Sequence, residues 1–276
     1  MTSLVVGSIV TSLDLDTTNI AVRVAFSFIM YAAFFGVFLA FSRLLKNEDA
    51  YKTFNLKKTV PVHDIFLILV LGAVCIVSFL LLQSGFVELF TLFGYSPTQM
   101  EILIPNFGVF LIFLFTMAVL PAIIEELLFR GLILQGLLKY GHVVAIIFSS
   151  LLFSIFHLNP SQTVYQFILG AICAVIYLRT KNMWYPIILH FINNAIIITY
   201  IYASGTEYQP LAFDATTIIT TIVLSVVGGF LILRLLGLFG KPQEKTERQK
   251  LAQLDIWTIV TGFSLALIIW ISHFML

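Results

Sequence analysis

Three ionisable residues, Glu125, Glu126 and Arg130, stand in a Glu-Glu-x-x-x-Arg pattern inside an apolar stretch, Phe107 to Leu138, that is long enough to cross a membrane. Charged side chains are costly in hydrocarbon, so where they occur they mark a functional site. Two further pairs at helical spacing, Phe153 with His157 and His190 with Asn194, lie in later apolar segments. A carboxylate, two imidazoles and an amide are what peptide hydrolysis asks for: a base for water, a donor for the departing amine and hydrogen bonds to a developing oxyanion. In such a site Glu125 is the candidate base, His157 orients the water beside it, and His190 and Asn194 donate to the oxyanion. No serine or cysteine nucleophile is required.

Helical spacing indicates which of these side chains face together. Residues four apart share a face, so Glu126 and Arg130 are placed to pair, whereas Glu125 is rotated about 100° away and left for another partner. His190 and Asn194 point into one space, and Phe153 stands one turn before His157, where it can wall the imidazole off from lipid. At a rise of about 1.5 Å per residue, Glu125 lies roughly 21 Å from Lys139, His157 about 22 Å from His142 and Asn194 about 20 Å from Lys181. Each residue also has a plainer reading. Glu126 and Arg130 can be a neutralised structural pair, His157 an interfacial histidine, and Asn194 helix-to-helix glue. Gly170 and Ala174 form a small-xxx-small pair that favours close helix packing. The coincidence of a carboxylate, two imidazoles and an amide at one depth favours a shared site.

The elements that must hold these groups are membrane helices. Of 276 residues, 60% are hydrophobic and 11% charged, and the mean hydropathy is +1.03, outside the range of soluble domains. A crossing takes about 20 apolar residues, and about eight such stretches occur, near 20–42, 62–83, 106–138, 143–158, 161–178, 184–202, 215–238 and 255–275. The expected fold is all-α, a polytopic bundle of about eight transmembrane helices forming a single membrane domain over 1–276. The third stretch is too long for one perpendicular crossing and is expected to tilt or break, with Pro121 as the natural kink. The fourth is short, so Asn159 and Pro160 are expected to turn at membrane depth under a cover of protein or water.

Positive charge then orients the bundle. Lys and Arg follow the first span (Arg43, Lys46, Lys52, Lys57, Lys58), the third (Lys139) and the fifth (Arg179, Lys181), and stand at or after the seventh (Arg234, Lys241, Lys245, Arg248, Lys250). Ser84 to Ile104 and Ala203 to Asp214 carry acids and no Lys or Arg. With eight spans the basic loops share one side, the cytoplasmic one, and both termini are expected outside the cytoplasm; Arg23 runs against the pattern. A net charge of +1 gives no reason to expect a nucleic-acid partner. Cys75 and Cys173 lie within apolar segments and read as small core residues. The first 18 residues lack the basic region and small-residue pattern of a cleaved leader, so none is expected. Phe86 to Tyr95 suits either the outer interface or burial against other spans. No convincing repeat relates the first four spans to the last four, which weighs against a two-halved transporter.

Other membrane-protease chemistries leave no signature: there is no His-Glu-x-x-His, no Gly-x-Gly-Asp and no Gly-x-Ser-Gly. Glu125, His157 and His190 are typical zinc-ligand types with a fourth position open. The expectation is catalysis without a metal, with a metal site on those three residues as the alternative.

Taken in order, Glu125-Glu126-x-x-x-Arg130, Phe153-x-x-x-His157, Phe167-x-x-Gly170 and His190-x-x-x-Asn194 resemble the motif set of the CPBP family, which joins type II CaaX prenyl endopeptidases to bacterial Abi proteins. The resemblance covers about Leu111 to Tyr200 and implies a catalytic core over 111–200. It implies that Glu125 and His157 activate water, that His190 and Asn194 form the oxyanion hole, and that Glu126 with Arg130 holds the site together, Phe153 also supporting it. An intramembrane glutamate-type endopeptidase is thereby implied, acting on a membrane-associated or lipid-modified peptide or protein. Eukaryotic members remove the last three residues of prenylated proteins, whereas bacterial members are linked to bacteriocin self-immunity, peptide maturation and regulation through membrane partners. This compact chain looks more like the bacterial group, which implies a multi-pass protein of a bacterial plasma membrane. The competing reading is a non-catalytic membrane protein that confers immunity or regulates a partner by binding it. A third is a transporter or proton relay using Glu125 and the histidines.

Overall fold

Backbone polar groups in hydrocarbon must be satisfied within the chain itself, which long apolar segments achieve by becoming helices. In the computed structural model, residues 19–44, 56, 58–97, 104–205, 214–240 and scattered positions between 261 and 272 are described. Among these residues there is no strand, and the helices are α1 (Ile20–Leu44), α2 (Val62–Thr91), α3 (Phe107–Tyr140), α4 (His142–Phe156), α5 (Thr163–Thr180), α6 (Trp184–Ser204) and α7 (Ala215–Leu238). Among the described residues, α2, α3, α5 with the turn before it, α6 and α7 are each long and apolar enough to cross a membrane. The chain is an all-α, multi-pass membrane bundle. These helices correspond to seven of the anticipated spans; the last, 255–275, lies largely outside the described residues, as do Lys241 to Lys250 and the first 18 residues.

Local chemistry sets the helix ends. Asn106 accepts a hydrogen bond from the Val109 N–H at 3.0 Å to start α3, and Asp214 accepts from the Thr217 N–H at 2.7 Å to start α7, each satisfying a donor the helix cannot. Between α3 and α4, Gly141 sits at φ +103°, a conformation that a residue with a Cβ resists. There the chain reverses without a long loop, so α4 lies back along α3.

The expected break at Pro121 takes the form of widened turns. Two π-helical stretches, Phe115–Val119 and Leu127–Leu134, interrupt α3, and Pro121 stands two residues after the first. A wider turn accommodates a residue that has no N–H and crowds the carbonyl four positions back. Glu125 and Glu126 end the short α-helical segment between the two stretches, Leu120–Glu126.

The turn after α4 is covered by protein. Pro160 is buried, the Asn159 side chain accepts from the Ser161 N–H at 3.0 Å, and the Tyr95 hydroxyl lies 2.7 Å from Ser161 Oγ. Trp270 Nε1 donates to Thr163 Oγ1 at 2.8 Å, closing the same region from the C-terminal part of the chain. Tyr95 is buried here and edges onto Phe90, while Leu92 and Phe93 are exposed, so the aromatic stretch divides between the two expected settings.

Two apolar clusters hold the bundle together. One joins α2 (Ile68, Leu71, Cys75), α5 (Leu169, Ile172, Ile176), α6 (Leu189, Ile192) and α7 (Ile232, Leu236). The other joins α3 (Leu127, Leu134, Leu137) to Ala145 of α4, Ala174 and Tyr177 of α5 and Ile187 of α6. Cys75 and Cys173 are free and buried. Where α7 crosses α2, a Cβ on Gly228 would collide with the Ser78 side chain, and Ser225 Oγ donates to the Ser78 carbonyl at 3.0 Å. Since α5 and α6 belong to both clusters, the space between them and the two-carboxylate stretch of α3 lies at the centre of the molecule.

Candidate active site

Pairing at helical spacing brings Glu126 and Arg130 together inside the protein. Arg130 Nη1 donates to Glu126 Oε1 at 2.8 Å, with both side chains almost fully buried. Arg130 Nη2 donates to the Gly170 carbonyl at 2.7 Å, and the guanidinium lies over the Phe153 ring, 4.7 Å from its centroid. One planar group thus ties α3 to α5 and α4, a task suited to the guanidinium fork. Gly170 permits this closeness: a Cβ there would meet Phe153 Cδ1 at 3.1 Å and the Ser150 Cα at 3.3 Å.

Phe153 is the hub of the site, fully buried instead of facing lipid. Its ring meets His157 at a centroid distance of 4.9 Å, His190 at 5.6 Å and Phe129 at 5.1 Å, all edge-on, the arrangement aromatic quadrupoles favour.

Glu125 points elsewhere, toward α4. His157, at the end of α4, has Nδ1 at 2.8 Å from the Phe153 carbonyl. A carbonyl can only accept, so Nδ1 carries the hydrogen and Nε2 presents a lone pair in the neutral ring. That Nε2 lies 3.8 Å from Glu125 Oε2, an oxygen that is buried and has no hydrogen-bond partner among the described residues. Two acceptors therefore face one another slightly beyond direct hydrogen-bonding distance, the arrangement that a molecule with two O–H groups can bridge. Tyr31 of α1, also buried, hydrogen-bonds to Glu125.

From α6, His190 Nδ1 lies 2.9 Å from Glu126 Oε1. Since that oxygen already accepts from Arg130, His190 Nδ1 is the donor. Asn194 Nδ2 donates to the Met117 carbonyl of α3 at 3.2 Å, and its Oδ1 accepts from Asn193 Nδ2 at 3.0 Å. Pro121 has no N–H to offer the Met117 carbonyl four residues back, so the proline and the asparagine complement each other across two helices.

Three candidate contacts, Glu125 with His157, Glu126 with Arg130 and Glu126 with His190, are thus assembled, and Asn194 joins the same α3–α6 boundary. Glu125, His157 and His190 are not brought together as a metal-ligand set: among the described residues no three His, Cys, Asp or Glu side chains are grouped to hold an ion. Sequence reasoning missed Asn193, Tyr165, Tyr31 and the Met117 carbonyl. Pro121 signalled the last of these, and a second amide beside Asn194 signalled the first.

Fold and site together define an integral membrane bundle with a buried carboxylate–imidazole centre. Residues 107–196, about a third of the chain, match the sequence model of the family described as type II CAAX prenyl endopeptidase Rce1-like, and this stretch contains all four motifs. The chain is also similar to "Putative membrane peptidase YdiL" of Bacillus subtilis, with 30% identity over 82 residues, 29% of this chain. It spans about a third of that relative, 34% of its length. No solved structure matches. Both findings support the resemblance to CPBP membrane proteases.

Proposed function

We propose that the protein is a membrane-embedded endopeptidase that hydrolyses a peptide bond of a membrane-associated or lipid-modified substrate with water activated by Glu125 and His157. The observation that carries this reading is the buried, unpartnered Glu125 Oε2 facing the His157 Nε2 lone pair at 3.8 Å. A water donating one hydrogen to each acceptor is held with its own lone pairs turned toward a third direction, where a scissile carbonyl can approach. As its oxygen attacks the carbonyl carbon, Glu125 takes a proton, and the same carboxyl returns it to the departing amine. The second hydrogen on Asn194 Nδ2 serves the oxyanion. His190, whose Nδ1–H is given to Glu126, can add a donor there only when Nε2 also carries hydrogen. Glu126, Arg130 and Phe153 hold these groups in place.

This chemistry needs no metal, and the test is direct. Purified protein in nanodiscs is offered a panel of membrane-tethered peptides with and without a strong zinc chelator. Cleavage unaffected by the chelator is the expected result; loss that zinc restores would replace this mechanism with a metal-dependent one. We place the protein in a bacterial plasma membrane with the basic loops in the cytoplasm and both termini outside, supported by the charge pattern. Single cysteines introduced beside Lys139 and Arg179 are expected to resist an impermeant thiol reagent in intact cells and to react after lysis. Labelling in intact cells would reverse the orientation.

The non-catalytic alternative draws support from the bonds that already occupy Glu126, Arg130 and Asn194. An absence of cleavage across the panel, with immunity or signalling that survives Glu125→Gln, would favour it.

A further inference from the structure

An asparagine side chain can help a reacting oxygen only if its nitrogen end, not its near-isosteric oxygen end, faces the reaction. Asn194 is oriented at both ends. Its nitrogen meets a backbone carbonyl, Met117, at 3.2 Å, and its oxygen receives a hydrogen from Asn193 Nδ2 at 3.0 Å. Asn193, 1% exposed, is itself oriented: its oxygen accepts a hydrogen bond from the Tyr165 hydroxyl of α5. The sequence of donors runs one way, from phenol to amide to amide to carbonyl.

Tyr165 is buried within the apolar cluster that contains Ile68, Leu71, Cys75, Leu169 and Ile172. A phenylalanine ring would fill that place, and an unpaired hydroxyl there would be costly, so the hydroxyl makes sense as the donor to Asn193. We infer that Tyr165 and Asn193 are positioning residues that fix the Asn194 amide with its nitrogen end toward the Met117 carbonyl, leaving its second N–H for the oxyanion of the proposed reaction. Neither touches the reacting atoms; both act through Asn194. The inference rests on the proposed hydrolytic function.

The test measures kcat and KM for a peptide that the full-length wild-type protein cleaves, together with thermal unfolding, in wild type, Tyr165→Phe, Asn193→Asp, Asn194→Ala and the double variant Tyr165→Phe/Asn194→Ala. Loss of one neutral hydrogen bond from the chain is expected to lower kcat about five- to tenfold in Tyr165→Phe, with KM unchanged. Asn193→Asp keeps an acceptor for Tyr165 but turns a carboxylate oxygen toward Asn194 Oδ1, and its kcat is expected to fall further. Asn194→Ala is expected to lower kcat roughly 10²–10³-fold, and adding Tyr165→Phe to it to cost nothing more, since nothing is left to orient. An equal loss from Tyr165→Phe with and without Asn194, or an unchanged kcat in both Tyr165→Phe and Asn193→Asp, overturns the inference. If Tyr165→Phe does not fold, Asn193→Asp with and without Asn194→Ala carries the same comparison. A wild-type protein that cleaves nothing overturns the hydrolytic reading and this inference with it; a cleaving wild type with silent positioning variants overturns the inference alone.

Discussion

Glu125→Gln is expected to reduce cleavage about 10²–10⁴-fold, the contribution of a positioned general base, while the protein unfolds at nearly the wild-type temperature. The substitution is isosteric, and the side chain is almost wholly buried. Tyr31 can still donate to the amide oxygen, and the other carboxylate oxygen has no hydrogen-bond partner to lose among the described residues. An amide also spares the protein from burying a charge, so stability has little reason to fall. Chemistry has every reason to fall, because the amide nitrogen cannot take a proton from water. The measurement is initial rate against enzyme concentration in nanodiscs, paired with a thermal melt of the same sample. Cleavage retained at wild-type rate would remove Glu125 from the mechanism.

Arg130→Ala should act on stability more than on any single chemical step. The guanidinium neutralises Glu126, donates to the Gly170 carbonyl and lies on Phe153. Without it the Glu126 carboxylate stays buried with His190 alone beside it, and breaking a buried pair in this way costs about 3–5 kcal/mol. Glu126→Gln in the Arg130→Ala background should recover part of that loss, because no buried charge is then left uncompensated. Arg130→Lys should be intermediate, since a single ammonium on a flexible stem cannot reproduce the planar two-sided contact. Thermal unfolding and yield after membrane extraction report the order. An Arg130→Ala protein as stable as wild type would show that the cluster is dispensable for the fold.

Much of this arrangement was legible in one dimension, and particular residues show where legibility ended. Helical spacing paired Glu126 with Arg130 and separated Glu125 from both, because those relations lie within one helix. Depth arithmetic pointed His157 and His190 toward the carboxylates, but which histidine meets which carboxylate depends on how α4 and α6 cross α3. Hydropathy ended the second span at 83, where Gln83 and Ser84 follow the apolar run, yet α2 continues to Thr91. Ser84 Oγ bonds back to the Leu80 carbonyl at 3.3 Å, so a hydroxyl need not end a helix. Tyr31 was hidden for another reason: it lies on α1, outside the stretch that carries the motifs. The wide turns in α3 were also hidden, since only Pro121 disturbs its otherwise smooth apolar pattern.

Those wide turns have a consequence for how this chain can vary. Each accommodates a residue that a regular α-helical turn would not, so the rotational phase of everything on one side of α3 relative to the other depends on residue count as well as residue type. With the wide turns kept as they are, loss of one residue between Glu126 and Arg130 would turn Arg130 about a quarter turn around the axis, away from the Gly170 carbonyl. Such a deletion would leave the apolar profile of the segment intact while uncoupling its two charged ends. Near the carboxylates α3 is tolerant of exchange on its lipid side and intolerant of insertion or deletion.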